Sequence, residues 1–137
     1  MGIASATPQQ EAYMRLGFHG ASVRAARDRL FSDLRKTGFP LARREDARAV
    51  VSELVANSLR HARPLDDGTI TVGWRTRTGT LRLAVTDGGS NSVPAQREPD
   101  DMALGGRGLR IVQSLARDWG VESKSDSTTV WAELDLH

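Results

Sequence analysis

Apolar residues recur at two different periods along this chain, and the period changes after Pro64. In ASVRAARDRLFSDLRKTG, Ala21 to Gly38, the residues Val23, Ala26, Leu30 and Leu34 stand at helical spacing, with Ser22 as a candidate cap and Gly38 as a stop. Phe39 and Pro40 break that pattern. A second helix is predicted from about Ala42 to Ala62, ended by Pro64 and the turn DDG at Asp66 to Gly68. Beyond the turn the alternation is twofold. ITVGWRT puts Ile70, Val72 and Trp74 on one face, and TLRLAVTD does the same with Leu81, Leu83 and Val85. A tight connection around Gly79 makes the two an antiparallel hairpin. MRLGFH, Met14 to His19, reads as a short strand behind a polar, flexible N-terminus over residues 1–13. Gly88 to Leu104 reads as a mobile loop, Gly106 to Arg117 as a helix, and WGVESKSDSTTVWAELDL as two strands joined by a Ser-rich turn. The order predicts a single domain over residues 14–137. Its fold class is an α/β (α+β) two-layer sandwich, a mixed, mainly antiparallel sheet covered on one face by helices.

Composition narrows the partners more than the fold. With 137 residues and 39% apolar side chains, one domain with its own core is expected. The chain has no cysteine, which leaves no disulfide framework and no thiolate metal site and fits a reducing cytoplasm. No stretch approaches the ~20 apolar residues of a membrane span, and the N-terminal residues show no basic segment followed by an apolar run. A net charge of +2, with arginines interleaved among acids, gives no basic tract for nucleic acid. A cytoplasmic protein without direct nucleic-acid or membrane partners is the expectation.

Three polar intrusions depart from the hydrophobic pattern. On the second helix, Ala47, Val50, Val51, Leu54, Val55 and Ser58 form the buried stripe, and Glu53 and Asn57 lie beside it. Their i, i+4 spacing stacks them on one flank, which is either a solvated edge or the wall of a site. On the second hairpin strand Asp87 is in phase with the core residues Leu81, Leu83 and Val85, unless the strand ends at Thr86 and Asp87 opens an exposed turn. Gly88 and Gly89 follow and permit close backbone approach. In GGRGLRIVQSLA, Gly105 to Ala116, glycines precede a helix whose Leu109, Ile111, Val112 and Leu115 are expected to pack inward. Free amides at such a helix start suit an anion, although a flexible loop entering an ordinary helix reads the same way. The dinucleotide fingerprint fails, since Ile111 stands where its third glycine belongs, and there is no Walker A sequence.

Taken in order, these segments resemble the GHKL ATPases, the group that includes gyrase and the histidine-kinase catalytic domain and shares the Bergerat ATP-binding fold. In that family an N box supplies Glu and Asn, here Glu53 and Asn57; a D-x-G box is matched by Asp87 and Gly89, and a G-x-G box by Gly106 and Gly108. The resemblance runs from about Phe18 to Leu136. It is nearest to the short anti-sigma factor serine/threonine kinases of bacteria, whose ELVxNxxxHA, VxDGG, GGRGLxIV and terminal TVWAEL are similar to ELVANSLRHA, VTDGG, GGRGLRIV and TTVWAEL here.

The resemblance implies ATP and Mg²⁺ as cofactors. Asp87 would accept a hydrogen bond from the adenine amino group, with Gly89 keeping the approach open, and guanine would be refused because its keto oxygen would face a carboxylate. Asn57 would be the protein's ligand to Mg²⁺, which is otherwise held by the triphosphate. Glu53 would be the catalytic group that orients or deprotonates a serine hydroxyl. Gly106, Arg107, Gly108 and Leu109 would meet the phosphates, and Thr129 would help hold adenine through water. His61 matches the end of the N box or is a capping residue; His19 reads as structural, and Trp74, Trp119 and Trp131 as core.

The implied partners are an alternative sigma factor, which the protein would sequester, a STAS-type anti-anti-sigma factor as phosphorylation substrate, and a second copy of the chain in a homodimer. An ATP-dependent protein-binding regulator without kinase activity is the alternative. A histidine-kinase module is disfavoured, because the stretch before Phe18 is too short for a phosphoacceptor hairpin. Two departures bear on catalysis more than on binding. The first glycine box continues as DGGSNSVP without the fuller glycine-proline sequence, and Ser127 and Thr128 stand where many relatives have Gly-Lys.

Overall fold

The structure is a computed structural model that describes residues 11–89 and 108–136. Its elements run β1 (Glu11–Gly17), α1 (Ala21–Arg35), α2 (Leu41–His61), β2 (Thr69–Arg77), β3 (Thr80–Asp87), α3 (Gly108–Leu115), β4 (Asp118–Ser123) and β5 (Thr128–Asp135). The five strands form one sheet in the order β1-β2-β3-β5-β4, and all four pairings are antiparallel. Helices cover one face, so the two-layer sandwich of the sequence reading is the fold.

In α1 the buried residues are Ser22, Ala26, Leu30 and Leu34, an i, i+4 ladder that makes one stripe. Ser22 ties the helix start to the strand before it, donating from Oγ to the Gly17 carbonyl at 2.5 Å. The helix ends at Arg35, and Gly38, at φ +79°, turns the chain into Pro40. In α2 the stripe is Ala47, Val50, Val51, Leu54, Val55 and Ser58, as the spacing predicts. This helix packs against α1 on one side, α3 on the other and the sheet beneath, through β3 and β5. Its buried stripe is therefore enclosed between α1, α3 and the sheet, while Glu45, Arg60 and His61 remain exposed. No helix among the described residues is long and apolar enough to cross a membrane.

The hairpin joining β2 to β3 turns through Thr78 and Gly79, both at positive φ, with Arg77 and Thr80 paired across it. Two central residues of that kind match the right-handed twist of the strands. Along β3 the buried positions are Leu81, Leu83, Val85 and Asp87, and their partners on β5 are Leu134, Ala132, Val130 and Thr128. These residues face the helices.

Three expectations need correction. First, β1 begins at Glu11, so residues 11–13 belong to the sheet; Glu11, Tyr13 and Arg15 are the exposed positions of an alternating edge strand. Second, Ile111 is 37% exposed and does not pack inward, while Leu109 and Val112 do. Third, Trp131 is not a core residue. It stands on the sheet face away from the helices, where its indole lies over Gly120, whose added Cβ would come within 2.7 Å of the ring. The Arg82 guanidinium stacks on the same ring at 4.3 Å. Trp74 is core, as expected, and Trp119 packs partly against it.

Candidate functional site

The site is built at the end of β3. Because side chains alternate along a strand, the in-phase Asp87 points where Leu81, Leu83 and Val85 point, into the helix layer, and it is only 3% exposed. A carboxylate there needs donors, and two are present. Ser58 on α2 donates from Oγ to Asp87 Oδ2 at 2.6 Å, and the Gly89 amide donates to Asp87 Oδ1 at 2.8 Å. Burial pushes the Asp87 carboxyl above its ordinary range, and the Ser58 and Gly89 hydrogen bonds oppose that shift.

The turn after Asp87 is held by the strap that leaves α2. Gly88 donates to the Arg63 carbonyl at 2.8 Å, and Arg63 donates from its amide to the Gly89 carbonyl at 3.0 Å and from Nε to the Gly88 carbonyl at 3.2 Å. A Cβ on Gly88 would collide with Pro64, and Gly89 adopts φ +90°. Both glycines are thus required, one by close approach and the other by its backbone conformation. None of Ser58, Arg63 or Pro64 was singled out as a site residue from the sequence. Ser58 was visible only as a polar member of an apolar stripe.

Asn57, one position before Ser58, carries a buried side-chain oxygen with no hydrogen-bond partner among the described residues. Such an atom costs free energy unless a ligand completes it. Glu53 lies one helical turn earlier and is half-buried, on the same flank. His61, a further turn on, is exposed.

The remaining sequence candidates divide. Thr128, not Thr129, pairs with Asp87 across β3 and β5, and its Oγ1 lies 3.4 Å from where a Gly89 Cβ would be. Thr129 pairs with Thr86, and the two hydroxyls hydrogen-bond at 2.7 Å on the opposite sheet face, so the structure does not bring Thr129 to Asp87. The phase of Val130, Ala132 and Leu134, all buried, carries the signal that would have separated the two threonines. Gly108 begins α3, and the Leu109 side chain is spent on the core. Gly106, Arg107 and all but the first two residues of the predicted loop lie outside the described residues.

Among the described residues no group of three or more His, Cys, Asp or Glu is arranged to hold a metal ion. A cation here would need a ligand to supply most of its coordination. The arrangement therefore offers a buried acceptor pair at the end of β3 (Asp87), a hard oxygen on the adjoining helix (Asn57) and a carboxylate one turn away (Glu53).

Residues 19–134 match the family described as the histidine kinase-like ATPase domain. The serine-protein kinase RsbW of Listeria monocytogenes serotype 4a is 30% identical over 95 residues, covering 61% of this chain and 60% of the relative. RsbW of Listeria innocua serovar 6a matches to the same extent. The chain thus spans about 60% of the length of the curated relatives it matches. Among solved structures, the RsbU and RsbW domains of a Mycobacterium tuberculosis protein superpose with a TM-score of 0.74 at 21% identity, covering 94% of this chain and 33% of that one. The histidine kinase domain of an Erythrobacter litoralis blue-light activated kinase gives 0.54 at 22% identity, over 85% and 60% of the two chains. At those identities the likeness is one of fold.

Proposed function

We propose, from the premise that this chain belongs to the histidine kinase-like ATPase domain family, that it is an ATP-binding anti-sigma factor. In this reading it sequesters an alternative sigma factor and uses Mg-ATP to phosphorylate a serine of a STAS-type anti-anti-sigma antagonist. The observation that supports the reading is the buried Asp87 carboxylate, held by Ser58 and the Gly89 amide, at the residue that matches the family's D-x-G box. The similarity to serine-protein kinases named RsbW supports the choice of reaction.

Asp87 accepts the adenine amino group, and Thr128, opposite it, takes the place first given to Thr129. The Asn57 oxygen, without a partner among the described residues, fits Mg²⁺, a hard cation that keeps most of its ligands from phosphate and water. The ion would supply neutralisation of triphosphate charge. Glu53 accepts the proton of the substrate serine as its oxygen bonds to the γ-phosphorus and the bond to ADP breaks. Gly106, Arg107 and Gly108 would meet the phosphates, and the domain, with β1 included, works as a homodimer in the cytoplasm.

The test is calorimetric titration of the folded protein with Mg-ATP, followed by transfer of labelled γ-phosphate to candidate antagonists, with Glu53→Gln as control. Uptake of ATP with transfer that Glu53→Gln abolishes supports the kinase. Uptake without transfer to any antagonist leaves a nucleotide-dependent binding regulator, and no uptake removes the whole reading.

A further inference from the structure

We propose that Ser58 is a positioning residue that aims the Asp87 carboxylate at the exocyclic amino group of adenine and so sets the base selectivity of the pocket. The proposal rests on the ATP-pocket reading above and deepens it.

Serine within a helix commonly donates to the carbonyl four residues back, and Ser52 on α2 does so, to Arg48 at 2.7 Å. Ser58 on the same helix donates instead across to another element, to Asp87 Oδ2 at 2.6 Å. It is 3% exposed, so water is not the competing acceptor. A hydroxyl has one proton to give, and here it is given to the carboxylate of the site.

The consequence is orientational. The terminal torsion of an aspartate is broad, and one hydrogen bond to one oxygen leaves the other oxygen to swing. In this protein Gly89 holds Oδ1 and Ser58 holds Oδ2, from two different elements. The carboxylate has about four acceptor sites, of which these donors use two. The rest are held in a fixed direction before any ligand arrives, which reduces the ordering cost of binding. A ligand donor, such as the amino group of adenine, meets a carboxylate already set. Ser58 touches no ligand in this scheme and acts only through Asp87.

The experiment compares Mg-ATP with the Mg-triphosphate of purine riboside, in which hydrogen replaces the 6-amino group, by titration calorimetry on the full chain. The wild type should prefer ATP by about tenfold, the worth of a hydrogen bond to a charged acceptor. Ser58→Ala should cut that preference by about fivefold, with nearly all the change on the ATP side, because only the amino-bearing ligand feels the freed carboxylate. Ser58→Cys keeps the volume with a weak donor and should fall between; it also decides the matter if the alanine variant does not fold. Equal loss for both ligands would mean that Ser58 merely packs, and an unchanged preference would mean that Gly89 alone orients Asp87; either overturns the proposal. A wild type that binds both triphosphates alike refutes amino-group reading by Asp87. A wild type that binds neither is a different failure, that of the ATP pocket itself.

Discussion

A Cβ added to Gly88 would lie 2.1 Å from the carbonyl oxygen of Pro64, so the turn that closes β3 and the strap that leaves α2 meet backbone to backbone. The contact belongs to a clasp in which Arg63 exchanges hydrogen bonds with Gly88 and Gly89. Through that clasp the helix carrying Asn57 and Ser58 is registered against the strand carrying Asp87.

Gly88→Ala should therefore be among the most damaging small substitutions in the protein. The atom in the way is main chain and cannot rotate aside, so the turn must move, at a cost on the order of 2–3 kcal/mol. Gly89→Ala meets only Thr128 Oγ1, at 3.4 Å, and pays chiefly for its φ of +90°, about 1–2 kcal/mol. Urea unfolding of the two variants should rank them in that order; the reverse ranking would mean that the clasp yields.

Asp87→Asn should separate stability from binding. The folded-state carboxyl of Asp87 titrates above its ordinary value of 3.8 because it is buried. The native state then holds a proton that the unfolded chain has released, so its contribution to stability falls as pH rises from 3.8 through the raised value. The ionised form, once reached, is a burden on the ligand-free fold. Asparagine removes it, so Asp87→Asn should melt higher than the wild type at pH 7 and lose that advantage toward pH 4, while Mg-ATP uptake disappears. Scanning calorimetry at the two pH values checks the sign.

The parts legible in the sequence were those governed by a short period. The α2 stripe, the phase of Asp87 with Leu81, Leu83 and Val85, and the Thr78–Gly79 turn all follow from local spacing, and each stands where it was expected. What was not legible depends on tertiary partners. Nothing in DGG announces that Gly88 faces Pro64, and nothing in ANSL distinguishes a serine that closes on itself, as Ser52 does, from one that reaches Asp87. Trp131 was misplaced because a large aromatic on the sheet face away from the helices finds its cover locally, over Gly120 and under Arg82.

Replacing Asn57 by alanine should leave the ligand-free protein as stable as the wild type, within about 0.5 kcal/mol, since the buried oxygen it removes has no partner among the described residues and alanine is the better helix former. Most polar-to-alanine changes in a core do the opposite. The same variant should lose Mg-ATP affinity while keeping magnesium-free nucleotide binding nearly unchanged, because Asp87 remains in place. Titrations with and without magnesium, beside a thermal melt, test both halves; a large drop in stability would mean that the oxygen has a structural partner.

Thr128 and Thr129 give the sharpest separation of site from scaffold, because adjacent residues on one strand face opposite ways. Thr128 is in phase with Val130 and opposite Asp87, whereas Thr129 bonds Thr86 on the face away from the helices. Thr128→Val should weaken Mg-ATP binding about tenfold with little change in melting temperature, as expected for loss of one polar contact to the ligand. Thr129→Val should remove a cross-strand hydrogen bond worth about 0.5–1 kcal/mol and leave nucleotide affinity alone. The two effects are transposed if adenine is read through the family-matched Thr129, which would require β5 to slip by one residue and turn Val130, Ala132 and Leu134 out of the core. Since that slip exposes three buried apolar side chains, the register argues for Thr128, and parallel binding and unfolding measurements on the two valine variants decide between them.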